Sequence, residues 1–129
     1  MNKRNADKAE RDRKEAAHKA LWESANAAGS AAAKRVVPVP MIVINTDGSL
    51  AGMVPEGEFG SATVILPATD PFAQWVARSK NGDRYPRRCV SVCVHYDFQI
   101  QRSRAYCLAL VEVLRAAGVS VERVTERLD

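Results

Sequence analysis

Residues 89–124 change hydrophobic period twice, and this constrains the fold more than any other feature of the chain. Over 89–98, Val90, Val92, Val94 and Tyr96 alternate with Cys89, Ser91, Cys93, His95 and Asp97. A period of two, rich in β-branched residues, predicts a pleated strand with one buried face. From 99 to 117 the apolar positions become Cys107, Leu110, Val111, Leu114 and Ala117. Spacings of three and four predict one stripe of a helix. Gly118 is the residue type that ends helices in a left-handed conformation. Val119, Val121 and Val124 then resume an alternating strand. Strand, helix and strand make a right-handed crossover if the two strands run parallel.

The rest of the chain is read around that unit. Residues 3–34 mix charges of both signs and then turn alanine-rich. Asp7–Arg11, Glu10–Lys14 and Glu15–Lys19 stand four apart with the acid first, the order that supports a helix. A long helix is therefore predicted, with Leu21 and Trp22 as its large apolar residues and Gly29-Ser30 as its soft point. Ala6, Ala9, Ala16, Ala20, Ala27 and Ala31 form a small-residue seam, so the helix either docks through Leu21 and Trp22 or pairs with a copy of itself. The second outcome predicts a homodimer or higher oligomer through this helix.

Residues 36–45 predict a strand whose first half is weakened by Pro38 and Pro40. Asp47-Gly48 predicts a tight turn, residues 50–54 a returning strand, and 55–60 a loop. Residues 61–66 are apolar on both faces, which suits the centre of a sheet. Asp70 and Pro71 announce a short helix carrying Phe72, Trp75 and Val76, which Asn81-Gly82 ends. The order α, β, β, β, α, β, α, β predicts an α+β fold. Residues 1–35 form a charged, alanine-rich helix. Residues 36–129 form a core domain, with a mixed, mostly antiparallel sheet of four or five strands and two helices on one face.

The core lies after residue 36, in fewer than a hundred of 129 residues, so modest stability and self-association are expected. Cys89, Cys93 and Cys107 all fall inside predicted elements, as small hydrophobes do in a reducing compartment. Cys89 and Cys93 lie about 13 Å apart along a strand, too far for a disulfide. No apolar run approaches a membrane span of about 20 residues, and the N-terminus has no apolar signal core. A cytoplasmic protein with no membrane association is expected.

Two sets of residues are candidate sites. Cys93, His95 and Asp97 share one strand face. Cys93 and His95 could share a zinc, with Cys107 contributing from the helix, or the Cys93 or Cys107 thiol, with His95 as base and Asp97 orienting it, could act as a nucleophile. Side chains on one strand face point in parallel and do not converge, so packing is the favoured role, and neither metal nor cofactor is expected. Gly48, Gly52, Gly57 and Gly60 match no phosphate-loop spacing. The stronger signal is the basic stretch 78–88, with Arg78, Lys80, Arg84, Arg87 and Arg88 around Tyr85, which Arg102 and Arg104 could extend. Arginines beside an aromatic ring suit phosphate contact and base stacking. The net charge of +4 permits nucleic acid without requiring it. A non-enzymatic binding protein engaging a host protein or nucleic acid is expected; the alternative is a small enzyme using Cys93, His95 and Asp97.

Two segments carry a resemblance. One is Gly60-Ser-Ala-Thr-Val-Ile-Leu-Pro67 followed by Asp70-Pro-Phe-Ala-Gln-Trp75. The other is Gln101-Arg-Ser-Arg-Ala-Tyr106 running through Leu110, Val113 and Leu114 to Gly118, with the terminal Arg127-Leu128-Asp129. Together they resemble a family of small proteins encoded by tailed phages and prophages, over about half the chain. The resemblance implies an accessory role in infection and no particular reaction or site residue.

Overall fold

The computed structural model describes residues 3–54 and 57–128. Part of the loop expected at 55–60 and Asp129 of the Leu-Asp terminus lie outside the described residues. The element order is α1 (Lys3–Arg35), β1 (Met41–Ile44), β2 (Leu50–Val54), β3 (Gly60–Pro67), α2 (Pro71–Arg78), β4 (Cys89–Val94), a 3-10 turn (Tyr96–Phe98), α3 (Ile100–Ala116) and β5 (Arg123–Leu128). The class is α+β, as the sequence predicts.

The strands form two sheets, not one. β1 and β2 pair antiparallel as a separate hairpin, and the second sheet has the order β4-β3-β5. β3 is the central strand, the place expected for residues 61–66. β4 and β5 each run antiparallel to it, so they are parallel to each other with β3 between them. The expected crossover therefore spans an intervening strand. β5 also starts later than the valine alternation suggests, because residues 117–122 are spent elsewhere. Gly118 (φ 86) closes α3, with its N–H on the Arg115 carbonyl and the Val119 N–H on that of Leu114. The Ser120 N–H donates to Asp70 Oδ2. β4 stops at Val94, short of the expected 98, because Asp97 (φ 51) and Phe98 (φ 54) turn the chain through the left-handed region.

One face of the sheet carries Ala62, Val64 and Leu66 from β3 and Val90 and Val92 from β4. Phe72, Trp75 and Val76 of α2 and Cys107, Leu110, Val111 and Leu114 of α3 pack on it. Asp70 caps α2 by accepting from the Phe72 N–H at 2.8 Å, and Pro71 opens the helix, both as predicted. α1 lies along α3 and reaches α2. Trp22 meets the rings of Phe72 and Trp75.

Two expectations for α1 change. Gly29 is not a soft point: the helix continues through it and buries Ala25, Gly29 and Ala33. These small residues, four apart, let α3 approach closely. Glu15 pairs with Arg78 at 2.6 Å rather than with Lys19, while the expected Glu10–Lys14 pair forms at 3.3 Å. Of the predicted seam, Ala6, Ala16, Ala20, Ala27 and Ala31 face solvent. Among the described residues no helix is long and apolar enough to cross a membrane.

Candidate binding face

Among the described residues, the second face of the β4-β3-β5 sheet carries no helix. Pairing sets Thr63 between Cys93 and Thr125, Ile65 between Ser91 and Arg123, and Ser61 beside Arg127. Side chains alternate along strands, so these residues share one side. This face is largely polar and bears two arginines. The sequence reading missed Arg123, Thr125 and Arg127, although their period of two was the available signal.

The basic stretch borders this face. A Cβ at Gly82 would meet the Ser91 carbonyl oxygen at 2.7 Å and Val76 at 2.9 Å, so only glycine lets the chain pass so close to β4. Asp83 and Ser91 then exchange both backbone hydrogen bonds, at 2.9 and 2.8 Å. At the far end, the Cys89 N–H donates to the Pro86 carbonyl and the Ala68 N–H to that of Arg88, both at 2.9 Å. The loop is thus held at both ends. Tyr85 is 73% exposed. With Pro86 it walls a groove of about 380 Å3 floored by Thr63, Ile65, Ser91 and Thr125, with Cys93 and Arg123 at its sides.

The predicted cations divide into two groups. Arg78 is tied to Glu15, Arg102 to Asp97 at 3.0 Å, and Arg104 to both carboxylate oxygens of Glu126. These three join elements: α2 to α1, α3 to the turn before it, and α3 to β5. The Arg104 hydrogen bond holds the Glu126 carboxyl below its usual range and raises Arg104 in turn. Lys80, Arg84, Arg87 and Arg88 are exposed and form no ion pair among the described residues.

The strand-face constellation is rearranged. Cys93 Sγ lies 3.1 Å from His95 Nε2, although parallel strand side chains were not expected to converge. The reason is that β4 ends at Val94 and His95 adopts φ −118, ψ 56, outside the extended region. Asp97 does not join them, since its left-handed backbone points its carboxylate to Arg102. Cys107 is fully buried in the core on the other face, and burial pushes its thiol up to about 12. Cys89 donates to Glu122 Oε2 at 3.1 Å, which raises its thiol above the ordinary value. Among the described residues no three His, Cys, Asp or Glu side chains converge as a metal site.

Comparison with protein-family models, curated proteins and solved structures finds no match.

Proposed function

We propose that this chain is a non-enzymatic binding protein whose open sheet face and basic loop hold an anionic partner, with single-stranded nucleic acid the best fit. The observation behind this is the loop itself. Lys80, Arg84, Arg87 and Arg88 form no ion pair among the described residues, and the anchored backbone carries Arg84, Arg87 and Arg88 in one short segment with the exposed Tyr85. Fixed cations contact phosphates without a large ordering cost. An exposed ring over a polar sheet face offers a base a stacking surface. Arg127 adds a further cation on the same sheet face, whereas Arg123 there is paired with Glu122 at 3.0 Å. The resemblance to tailed-phage accessory proteins supports the same role, with a host nucleic acid or an acidic host protein as the partner.

A salt titration of binding to short single-stranded and duplex DNA tests this. Binding should be weak and indifferent to sequence, with a log–log salt slope of about −0.7 per phosphate contacted on single strands. Arg84→Ala with Arg88→Ala should make that slope shallower by about 1.4 if each arginine holds one phosphate. No binding to either DNA at low salt would sink the nucleic-acid reading and leave an acidic protein surface as the ligand.

The 3.1 Å approach of Cys93 to His95 favours a second reading, a thiol nucleophile with His95 as its base. It would act without Asp97. Alkylation of Cys93 faster than that of a free cysteine, and slowed by His95→Ala, would support it.

A further inference from the structure

We propose that the groove walled by Tyr85 is a pocket for one unpaired nucleobase. This rests on single-stranded nucleic acid being the partner, and it adds where a base is held and by which groups.

The strand registers lay out the floor of the groove as a grid. One row across the sheet is Ser91, Ile65 and Arg123, and the next is Cys93, Thr63 and Thr125. Three strands make the grid about 10 Å wide, and two residues along a strand make it about 7 Å deep. The groove above it holds about 380 Å3, at the small end of the range of about 300–1,000 Å3 for small-molecule sites. One base with its sugar suits that space, whereas a base pair brings a second nucleotide that the grid has no room for.

The lining matches a base on its flat side and at its edge. Tyr85 and Pro86 form the wall. Two backbone hydrogen bonds brace it, from the Tyr85 N–H to the Asp83 carbonyl and from the Cys89 N–H to the Pro86 carbonyl, both at 2.9 Å. Little of the wall therefore has to be ordered on binding, and its exposed ring is a stacking surface for a flat π system. The floor offers the hydroxyls of Thr63, Ser91 and Thr125, none of which forms a hydrogen bond among the described residues. A hydroxyl rotates to donate or to accept, so these three can meet the edge of any base and favour none.

Charge selects a nucleotide over other flat ligands. Arg84, Arg87 and Arg88 stand in the loop that carries Tyr85, and none of them forms an ion pair among the described residues. A base in a strand arrives with a phosphate on either side, which these cations match. An aromatic side chain of a protein brings no charge of its own, and an apolar occupant would leave the three hydroxyls without partners. A base inside a duplex must first be unstacked and unpaired to enter the groove, so the pocket favours single strands.

Binding of the full chain at low salt to a short oligothymidylate, to the same backbone with every base removed, and to a duplex of equal length tests this. Oligothymidylate should bind about tenfold or more tighter than the abasic strand. Both should show the same salt slope, because they present the same phosphates. Tyr85→Leu should bring oligothymidylate down to the abasic affinity, and Tyr85→Phe should keep the difference. Thr63→Val, Ser91→Ala and Thr125→Val together should weaken oligothymidylate about fivefold or more and leave the abasic strand unchanged. Should that triple variant misfold, the two Tyr85 variants decide alone. The exposed thiol of Cys93 at the side of the groove gives a second readout. Its alkylation should slow several-fold when oligothymidylate saturates the chain, and not when the abasic strand does. Equal binding of the two strands, a Tyr85→Leu chain that keeps the difference, a folded triple variant that binds as the wild type does, or a duplex held as tightly as oligothymidylate would each overturn the pocket and leave the phosphate contacts standing. No binding of any of the three would overturn the pocket together with the partner it rests on.

Discussion

The ring of Tyr106 rests against Gly29: a Cβ at position 29 would stand 2.7 Å from Cδ1 and 2.8 Å from Cε1. The ring is not free to yield. Its hydroxyl donates to Asn26 Oδ1 one turn earlier in α1, and it sits 6.0 Å from the ring of Tyr96. In an open helix Gly29→Ala would stabilise by about 1 kcal/mol. Here overpacking costs about 1–3 kcal/mol, so a net loss of about 1 kcal/mol is expected in urea denaturation. Tyr106→Leu should relieve it, giving a double variant more stable than the sum of the two changes. A gain of stability from Gly29→Ala alone would show that the contact is loose.

Asp70 joins two distant segments. Oδ1 accepts from Phe72 N–H at the start of α2, and Oδ2 accepts from Ser120 N–H before β5. Asp70→Ala should cost about 2 kcal/mol, roughly one for the cap and one for the second hydrogen bond. Asp70→Ser, which can cap but cannot reach Ser120, should recover about half. Equal losses in both variants would mean that the cap contributes nothing.

The three thiols should separate cleanly. In the folded chain Cys93 is exposed and should react with a thiol reagent first, with Cys89 and Cys107 reacting only on unfolding. Cys107 also sets an alkaline limb. Its thiol ionises near 9.0 when unfolded and near 12 when folded, so unfolding releases a proton between those values. Its contribution is complete below pH 9 and is lost as pH rises towards 12, at up to about 1.4 kcal/mol per pH unit. Cys107→Ala should be less stable at neutral pH yet decline less steeply above pH 9. An unchanged slope would assign the alkaline limb to other groups.

The second period change shows how far the pattern along the chain reaches. The helix predicted over 99–117 is α3, and its glycine stop is where it was expected. The strand after it was placed too early, because Val119 and Val121 alternate as a strand would. The N–H groups of Val119, Ser120 and Glu122 go instead to the Leu114 carbonyl, to Asp70 and to the Ile65 carbonyl, and the strand starts only at Arg123. The basic loop was legible as a charge run held between two elements. Which of its cations are neutralised was not, since Arg78 meets Glu15 from 63 positions away in the chain.

Local chemistry therefore determined the types of the elements, the cap of α2, the central place of β3 and the basic segment 78–88. These follow from periodicity, turn residues and composition, which act over a few residues. Tertiary structure decided that the strands split into two sheets, that α1 spends Ala25, Gly29 and Ala33 on its own α3, and that Asp97 leaves His95 for Arg102. It also decided that Arg123 and Arg127 share a face with the loop. Apart from the turn at Asp97, which is local, these depend on which backbone groups and small residues meet across long separations, and such contacts carry no local signature. The exposed face of the hairpin lies on both sides of that line. Its apolar alternation is written in the sequence, but only the register slip at Ala51, a property of the paired strands, places Leu50 with Ile42, Ile44 and Met53.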